Sequence, residues 1–228
     1  MAARTGVIIV AGGSGRRMSS QIPKQFLMLG NMPVLARTIN TFSEAFPSAD
    51  MVVVLPEAHI AMWRDLAARF DVAAHRCVAG GAERFDSVKC GLAAVSPEVE
   101  MIAVHDGVRA LASKKLIIRT MLEAQTNGAC IPVMTPTDSY RMTDDNDSSH
   151  SLSRDRLRIV QTPQIFSAEI LRRAYDRDYD ASFTDDASVV EAAGSRIFMC
   201  CGEQTNIKIT TPEDLAYAEY LLSQELVR

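Results

Sequence analysis

Short runs of apolar residues alternate along this chain with longer segments in which apolar side chains recur at helical spacing. The apolar runs lie at residues 7–10, 51–55, 101–104 and 129–133. Runs without polar interruptions fit strands of a sheet that is buried on both faces, and helices between them provide the crossovers of a parallel sheet. The pattern therefore predicts an α/β fold with a mostly parallel sheet flanked by helices, in one domain over residues 1–228.

Three helix starts are marked by residues that favour a first helical turn. Pro33 and Ser113 each precede a helical pattern, and Thr211 is followed by Pro212 and two acidic residues. Threonine is a common N-cap, and proline is favoured at the first helical position. Apolar residues at helical spacing after Pro212 predict a C-terminal helix that packs against the sheet.

Residues 137–158 break this alternation and are mostly polar, with an acidic tip at residues 143–149. We interpret them as an inserted two-stranded arm, a β-hairpin that protrudes from the domain. An isolated hairpin is marginally stable in water, and this one has too few apolar residues to join the core. We therefore expect the arm to pack on a second subunit, which predicts a homodimer.

Composition and charge exclude several classes of protein. The chain is 47% hydrophobic and 23% charged, as is typical of a globular domain. A formal net charge of -4 and the absence of a basic stripe argue against a nucleic-acid partner. No apolar run approaches the roughly 18 residues that a membrane helix requires, so no membrane partner is expected.

The cysteines and the N-terminal sequence bear on the cellular location. The five cysteines show no CxxC spacing and are interpreted as reduced thiols of a cytoplasmic protein. The apolar run at residues 7–10 is too short for the core of a signal peptide, so we expect the mature protein to begin near Met1.

The first candidate for chemistry is a glycine-rich segment directly after the first predicted strand. Residues 11–15 read Ala-Gly-Gly-Ser-Gly and are followed by Arg16, Arg17 and, after Pro23, Lys24. Glycines let backbone N–H groups approach an anion. The third glycine of a dinucleotide fingerprint and the Gly-Lys-Ser/Thr of a P-loop are both missing. A glycine loop with nearby cations suits a triphosphate, although a solvated basic loop explains the composition equally well.

A second candidate is the junction between a predicted strand and a helix at Gly80, Gly81 and Ser87. Backbone amides at a helix start can bind polar edges or phosphate oxygens of a ligand, and Ser87 can add a hydroxyl. A plain turn with exposed charges at Glu83 and Arg84 is the favoured alternative for this pattern taken alone.

Polar residues also follow the predicted strand at residues 101–104. Because carboxyl ends of parallel strands face the ligand crevice, Asp106 could hold Mg²⁺ or a ribose hydroxyl, and Arg109 a phosphate. A salt bridge between Asp106 and Arg109 is the structural alternative. His105 is interpreted as a structural histidine.

Two features lie nearer the C-terminus. Lys208 sits in a strand-like run between Ile207 and Ile209, where alternation points it away from the apolar face. A solvated lysine on an edge strand is the alternative. Thr184 is interpreted as the N-cap of a further helix.

The sequence contains no recognisable nucleophile triad and no HxxEH or CxxC metal motif. If the acceptor is itself a phosphate, its oxygen is already an anion, so the reaction needs cations, Mg²⁺ and in-line alignment rather than a protein nucleophile.

Seven motifs follow one another in this chain. They are Ala-Gly-Gly-Ser-Gly-Arg-Arg-Met, Pro-Lys-Gln, Gly-Gly-Ala-Glu-Arg-Phe-Asp-Ser-Val, His-Asp-Gly-Val-Arg, Gln-Thr-Pro-Gln, Thr-Asp-Asp-Ala-Ser and Asn-Ile-Lys-Ile-Thr-Thr-Pro-Glu-Asp-Leu. Together they resemble the 2-C-methyl-D-erythritol 4-phosphate cytidylyltransferase family from Val7 to about Leu222. The resemblance implies a Rossmann-like homodimer that uses CTP and Mg²⁺ to cytidylylate a polyol phosphate, 2-C-methyl-D-erythritol 4-phosphate, in isoprenoid precursor biosynthesis.

The resemblance also implies roles for individual residues. The implied catalytic residues are Arg17, Lys24 and Lys208. The implied nucleotide-binding residues are Ala11, Gly12, Gly13, Gly15, Gly81, Ser87 and Asp106, of which Asp106 is also the candidate metal ligand. The implied acceptor-binding residues are Asp106, Arg109, Ser139, Arg154, Thr162 and Lys208, with Ser139 and Arg154 contributed by the other subunit.

Three departures from the family pattern leave the acceptor open. Ala82 replaces a common Asp, residues 107–110 replace the usual Ala-Ala-Arg-Pro, and Ser139 stands where Thr is frequent. A sister group that cytidylylates ribitol 5-phosphate shares nearly all nucleotide-site residues and is the main alternative. An NAD-dependent oxidoreductase is a more distant alternative, because the glycine loop lacks the third glycine. A catalytically inactive nucleotide-binding regulator is another, because such a protein would have no reason to keep Lys24, Asp106 and Lys208 together.

Overall fold

The computed structural model describes residues 3–13, 22–145 and 148–224. The strands in these residues are β1 (Thr5–Val10), β2 (Met28–Leu29), β3 (Met32–Pro33), β4 (Asp50–Leu55), β5 (Arg76–Ala79), β6 (Met101–Asp106), β7 (Ala129–Met134), β8 (Tyr140–Thr143), β9 (Ser149–Leu152), β10 (Ile159–Val160), β11 (Gln164–Ser167) and β12 (Phe198–Cys201). The α-helices are α1 (Val34–Ala45), α2 (Glu57–Ala67), α3 (Arg84–Ala94), α4 (Lys114–Asn127), α5 (Ala168–Tyr175), α6 (Asp186–Ala192) and α7 (Pro212–Ser223). Short 3₁₀ turns lie at Lys24–Phe26 and Arg154–Arg156.

The central sheet has eight strands and confirms the predicted α/β class. Its order is β10-β7-β11-β6-β1-β4-β5, with β12 beside β7. Parallel pairs join β1 to β4 and β6, β4 to β5, and β7 to β12. The sequence pattern did not predict β11, which runs antiparallel between β6 and β7.

Alternation along the strands divides the core into two layers. Side chains such as Ile8 and Val54 face α3 and pack against Val88 and Leu92. Their neighbours in sequence face the opposite way, toward a second cluster that includes Ile39 and Trp63. Helices therefore cover both faces, as unbroken apolar strands require.

One glycine allows α3 to pack closely on the sheet. A Cβ built at Gly91 would lie 2.5 Å from Cγ2 of Ile8. Because α3 follows the Gly80–Gly81 turn, this close packing also fixes the helix start that faces the candidate site. None of the helices in the described residues is long and apolar enough to cross a membrane.

The C-terminal helix begins as predicted but packs elsewhere. Thr211 is the N-cap of α7 and forms a capping box with Asp214, with proline at the start. Its buried residues Ala218 and Leu221 contact a small separate cluster that includes Leu29 and Leu111, rather than the main sheet. This cluster also contains Val108 and Ala110, so α7 packs against the loop that follows β6.

The predicted arm is present as a hairpin. Strands β8 and β9 pair antiparallel, from Tyr140 opposite Leu152 to Thr143 opposite Ser149. The side chains along β8 are exposed, including Met142 at 52%. Its role in a dimer stays a prediction, as does the division of the chain into a single domain.

Candidate active site

A cavity of about 400 Å³ lies at the carboxyl ends of the parallel strands β1, β4 and β6. Three segments that the sequence singled out meet there: the glycine loop, the turn before α3 and the loop after β6. The lining residues are Val10, Ala11, Gly12, Gly13, Lys24, Gln25, Pro56, Gly80, Gly81, Ala82, Glu83, Arg84, Ser87, Asp106, Val108 and Lys208. The edge of the sheet is thus the predicted ligand crevice.

The start of the glycine loop is fixed by hydrogen bonds on both sides of Ala11. Ala11 N–H donates to Val54 O at 2.9 Å, and Gln25 Nε2 donates to Ala11 O at 2.7 Å. A Cβ at Gly13 would lie 3.5 Å from Cε of Lys24, so the lysine stem runs along the loop. The predicted site residues Gly15 and Arg17 lie outside the described residues.

The turn before α3 places a hydroxyl in the same cavity. Ser87 is buried and lines the cavity. A Cβ at Gly80 would lie 2.7 Å from Ser87 Oγ, and one at Gly12 would lie 3.9 Å from it. The hydroxyl therefore lies between the two glycine-rich turns, where a ligand can use it.

Asp106 is the centre of a cluster of cations. Its carboxylate lies 2.9 Å from Lys208 Nζ, 3.5 Å from Arg109 Nε and 3.7 Å from Arg84 Nε. Burial alone would raise the pKa of Asp106, but the three positive charges hold this pKa far below its usual range. Asp106 therefore stays ionised. The Asp106–Arg109 salt bridge of the structural alternative exists, but as one part of a larger group of ion pairs.

Lys208 reaches Asp106 from an irregular segment, so the prediction of a strand at this position is wrong. No strand is assigned to residues 206–210, and Ile209 N–H donates to Val108 O at 3.0 Å. Ile209 is buried while the Lys208 side chain is 45% exposed. The alternation of inward and outward side chains was correct even though the secondary structure was not.

Arg84 lines both the cavity described above and a neighbouring one, although the sequence did not single it out as a site residue. Its guanidinium donates two hydrogen bonds to the carboxylate of Asp186, at 2.9 and 2.7 Å, and Tyr175 Oη donates a third at 2.7 Å. Burial alone would lower the pKa of Arg84, but the charge and hydrogen bonds of Asp186, together with the charge of Asp106, raise this pKa above its usual value. Arg84 is therefore not the exposed first-turn charge of the alternative interpretation. The acidic pair after Thr184 was the available signal, although the N-cap of α6 is Asp185 rather than Thr184.

Thr162 and His105 hold the backbone of Asp106 in place. Asp106 N–H donates to Thr162 Oγ1 at 3.1 Å, and that hydroxyl lies 3.0 Å from His105 Nδ1. His105 Nε2 lies 3.2 Å from Arg109 O, a carbonyl that can only accept, so the proton is on Nε2 and Nδ1 accepts from Thr162. Burial lowers the pKa of His105 to about 4. This histidine is structural, as predicted.

A second cavity of about 240 Å³ adjoins the first. The two share the wall formed by Arg84, Asp106 and Lys208. The remaining lining residues of the second cavity are Arg109, Val160, Gln161, Thr162, Gln164, Thr184 and Asp185. A substrate in each cavity would face the other across the same charged cluster.

Comparison with known proteins identifies the family. The family of 2-C-methyl-D-erythritol 4-phosphate cytidylyltransferase (IspD) matches residues 5–224. An enzyme of that name from Bacteroides fragilis is 44% identical over 217 residues, covering 94% of this chain and 98% of the relative. One from Phocaeicola vulgatus is 45% identical over 217 residues, covering 95% and 98%. The chain belongs to this family.

Solved structures of IspD enzymes share the fold. A 4-diphosphocytidyl-2C-methyl-D-erythritol synthase from Anaerococcus prevotii superposes with a TM-score of 0.83 at 28% identity, covering 97% of this chain and 99% of that one. The 2-C-methyl-D-erythritol 4-phosphate cytidylyltransferase from Thermus thermophilus gives a TM-score of 0.78 at 32% identity, covering 96% and 99%. IspD membership sets aside the oxidoreductase and regulator alternatives.

Two of the residues implied by the IspD resemblance lie apart from both cavities. Ser139 and Arg154 are exposed residues of the arm segment, and Arg154 Nη1 donates to Thr137 O at 2.9 Å. Neither residue lines the cavity that holds Asp106. A single chain therefore brings together Ala11, Gly12, Gly13, Lys24, Gly81, Ser87, Asp106, Arg109, Thr162 and Lys208, but not Ser139 or Arg154.

Proposed function

We propose that this IspD chain transfers a cytidylyl group from CTP to 2-C-methyl-D-erythritol 4-phosphate. The products are 4-diphosphocytidyl-2-C-methyl-D-erythritol and pyrophosphate, and the reaction belongs to isoprenoid precursor biosynthesis. The observation that carries this proposal is the wall of Arg84, Asp106 and Lys208 shared by two adjoining cavities. A transferase for two phosphorylated substrates needs two subsites that meet at a cationic centre.

The larger cavity suits the nucleotide. Glycines 12 and 13 present backbone N–H groups to phosphates, Lys24 lies along them, and the Ser87 hydroxyl is available to the nucleoside. In the proposed reaction a phosphate oxygen of the acceptor attacks the α-phosphorus, the bond to the β-phosphate breaks, and pyrophosphate leaves. Lys24 and Arg17 would stabilise charge on the nucleotide phosphates, and Lys208 would approach from the acceptor side.

Magnesium is the cofactor that this chemistry calls for. The described residues contain no group of three or more potential metal-binding side chains. Mg²⁺ commonly takes one or two carboxylates together with substrate phosphates, which fits the single ionised carboxylate of Asp106 in the nucleotide cavity. When bound, the ion neutralises charge on the phosphates. Lys208, whose Nζ lies 2.9 Å from Asp106, lines both cavities and would supply positive charge to the acceptor phosphate.

The smaller cavity suits the polyol phosphate. Arg109 and Lys208 provide positive charge for its phosphate, and the polar groups of Thr184 and Asp185 line the remaining wall. Those cations bind the phosphate of any acceptor equally, so discrimination from ribitol 5-phosphate must come from contacts to the carbon chain. The names of the relatives support 2-C-methyl-D-erythritol 4-phosphate.

The test measures pyrophosphate release with Mg²⁺ from CTP, UTP, ATP and GTP against both polyol phosphates. We expect CTP with 2-C-methyl-D-erythritol 4-phosphate to give the highest kcat/KM. No release from that pair would refute the proposal, and a tenfold preference for ribitol 5-phosphate would assign the enzyme to the sister activity.

We also propose a homodimer formed through residues 137–158 in which Ser139 and Arg154 reach the partner's acceptor cavity. Support comes from the exposed apolar side chains Tyr140 and Met142 on the arm and Ile159 and Val160 at its base. A cytoplasmic location is part of the proposal, since all five cysteines are free thiols.

A further inference from the structure

The segment that carries Lys208 has no regular secondary structure to hold it. Residues 202–211 connect β12 with α7, and none of them belongs to a helix or strand. Beyond Lys208 the chain is fixed by the hydrogen bond from Ile209 N–H to Val108 O at 3.0 Å. At the start of the segment, Gly202 N–H donates to Val133 O of β7 at 2.8 Å. Between Gly202 and Lys208, hydrogen bonds from side chains elsewhere in the protein hold the chain.

The first of these contacts comes from Gln161. Its Nε2 donates to Glu203 O at 2.7 Å, and its Oε1 accepts from Glu203 N–H at 3.1 Å. A Cβ at Gly202 would lie 2.5 Å from that Oε1, so the amide occupies the space that a side chain would need. The beginning of the segment is thereby held against the link between β10 and β11, which lines the smaller cavity.

Asn206 makes the second set of contacts, only two residues before Lys208. Asn206 is fully buried, and its Nδ2 donates to Thr162 O at 2.8 Å and to Gln161 Oε1 at 3.3 Å. Both partners are acceptors, so the amide nitrogen must face them. The backbone carbonyl of Asn206 accepts from Arg109 Nη1 at 2.8 Å. One residue therefore ties the Lys208 segment to Thr162 and also orients the Arg109 guanidinium.

We infer that Asn206 is a positioning residue that fixes both Lys208 and Arg109 for transfer to the acceptor. Asn206 lines neither of the two cavities, so it acts through those two side chains and not on substrate. This inference rests on the proposed function. A displacement of about 1 Å in a catalytic group can lower the rate on the order of 100-fold.

The test compares Asn206→Ala and Asn206→Asp with wild type. The Ala variant removes the clamp, and the Asp variant keeps the size of the side chain but turns a carboxylate toward two acceptors. The matched control is Asn40→Ala, because Asn40 clamps a loop that lines neither cavity. Its Nδ2 donates to Asp71 O at 2.7 Å, and its Oδ1 accepts from Ala73 N–H at 2.9 Å.

We expect both Asn206 variants to lower kcat/KM for the acceptor on the order of 100-fold, with KM for CTP within about threefold of wild type. Hydrogen exchange should speed up in residues 203–209 but not in residues 80–88. Asn40→Ala should lose thermal stability and keep its kcat/KM within about threefold, since distant sites act independently.

Several outcomes overturn the inference. These are a folded Asn206 variant with near-normal acceptor kcat/KM, a KM for CTP that rises well beyond threefold, or an equal loss of acceptor kcat/KM in Asn40→Ala. If neither Asn206 variant folds, Asn206 serves the fold and not positioning. Wild-type protein that releases no pyrophosphate overturns the proposed function itself, and that result is separate because it precedes any variant.

Discussion

The Asp106 cluster and the arm differ in almost every physical respect, although both carry residues implied in acceptor binding. Asp106 is buried, ion-paired to three cations and tied by its backbone to Thr162. Ser139 and Arg154 are exposed, and Arg154 Nη1 donates to Thr137 O within the same segment. Within the described residues, the ion pairs of the cluster form inside one chain, whereas the hydrogen bonds of Arg141 and Arg154 stay within the arm and its apolar side chains Tyr140 and Met142 are exposed.

This contrast separates two tasks of a transferase. Charge neutralisation needs donors that are fixed before the substrate arrives, and a buried network supplies them without reorganisation. Recognition of a polyol chain needs shape and hydroxyl partners, which a second subunit can contribute. Perturbing the cluster should therefore damage stability and rate, while perturbing the arm should change only the part of the site that the partner completes.

The largest effect should come from breaking the buried ion pair behind the cluster. Arg84→Ala leaves the carboxylate of Asp186 buried without its cation, and removal of one partner of such a pair costs about 3–5 kcal/mol. The control is Arg76→Ala, because Arg76 pairs with Asp50 at the surface, where an ion pair contributes about 0–1 kcal/mol. Urea unfolding of both variants measures the difference. Equal destabilisation would show that the Arg84–Asp186 pair has no special role in the fold.

The next effect tests whether the arm completes a partner's site. Lys24→Ala and Arg154→Ala homodimers should each be strongly impaired, and Lys24→Ala should lower kcat on the order of 100-fold. After subunit exchange, half of the dimers are mixed, and each mixed dimer has one intact site if Arg154 acts across the interface. The mixture should then recover about one quarter of wild-type activity.

Two controls accompany the mixing experiment. Lys115→Ala changes an exposed lysine of α4 and should leave kcat unaltered. A mixture of Lys24→Ala with Lys208→Ala should recover no activity, since both residues line one cavity of the same chain. Verified exchange without recovery in the Arg154 mixture would place Arg154 in its own subunit's site.

The same contrast explains how far the sequence could predict the molecule. The unbroken apolar runs located β1, β4, β6 and β7, because strands buried on both faces need such runs. Strand β12 was not predicted, because two of its four residues are exposed and it does not form a buried apolar run. An antiparallel β11 between β6 and β7 could not be inferred from local patterning, because strand order depends on contacts across the whole chain.

The candidate site divides in a similar way. Lys24, Asp106 and Lys208 were predicted together, and the geometry places them around one cavity because strand ends meet at one edge. Arg84 and Asp186 are 102 residues apart in the sequence, so no local hydrophobic or polar pattern predicts that they pair. The clamp at Asn206 was hidden for a related reason: an asparagine before a lysine is unremarkable until the fold shows that its amide is buried.

The smallest effect should come from restoring a methyl group on the arm. Ser139 stands where Thr is frequent in the family, so Ser139→Thr adds one methyl on the side that the partner would contribute. A methylene-sized change in a pocket alters discrimination by about 1–3 kcal/mol at most, and an exposed arm should give the lower end of that range. We expect the ratio of kcat/KM for 2-C-methyl-D-erythritol 4-phosphate over ribitol 5-phosphate to rise about fivefold, because the added methyl narrows the space for the longer polyol. Stability should not change, since Ser139 is exposed.

Thr137→Ser removes a methyl from the same segment and serves as the matched control. If both variants shift the ratio alike, or neither does, position 139 does not contact the acceptor and selection lies in the cavity of Thr184 and Asp185.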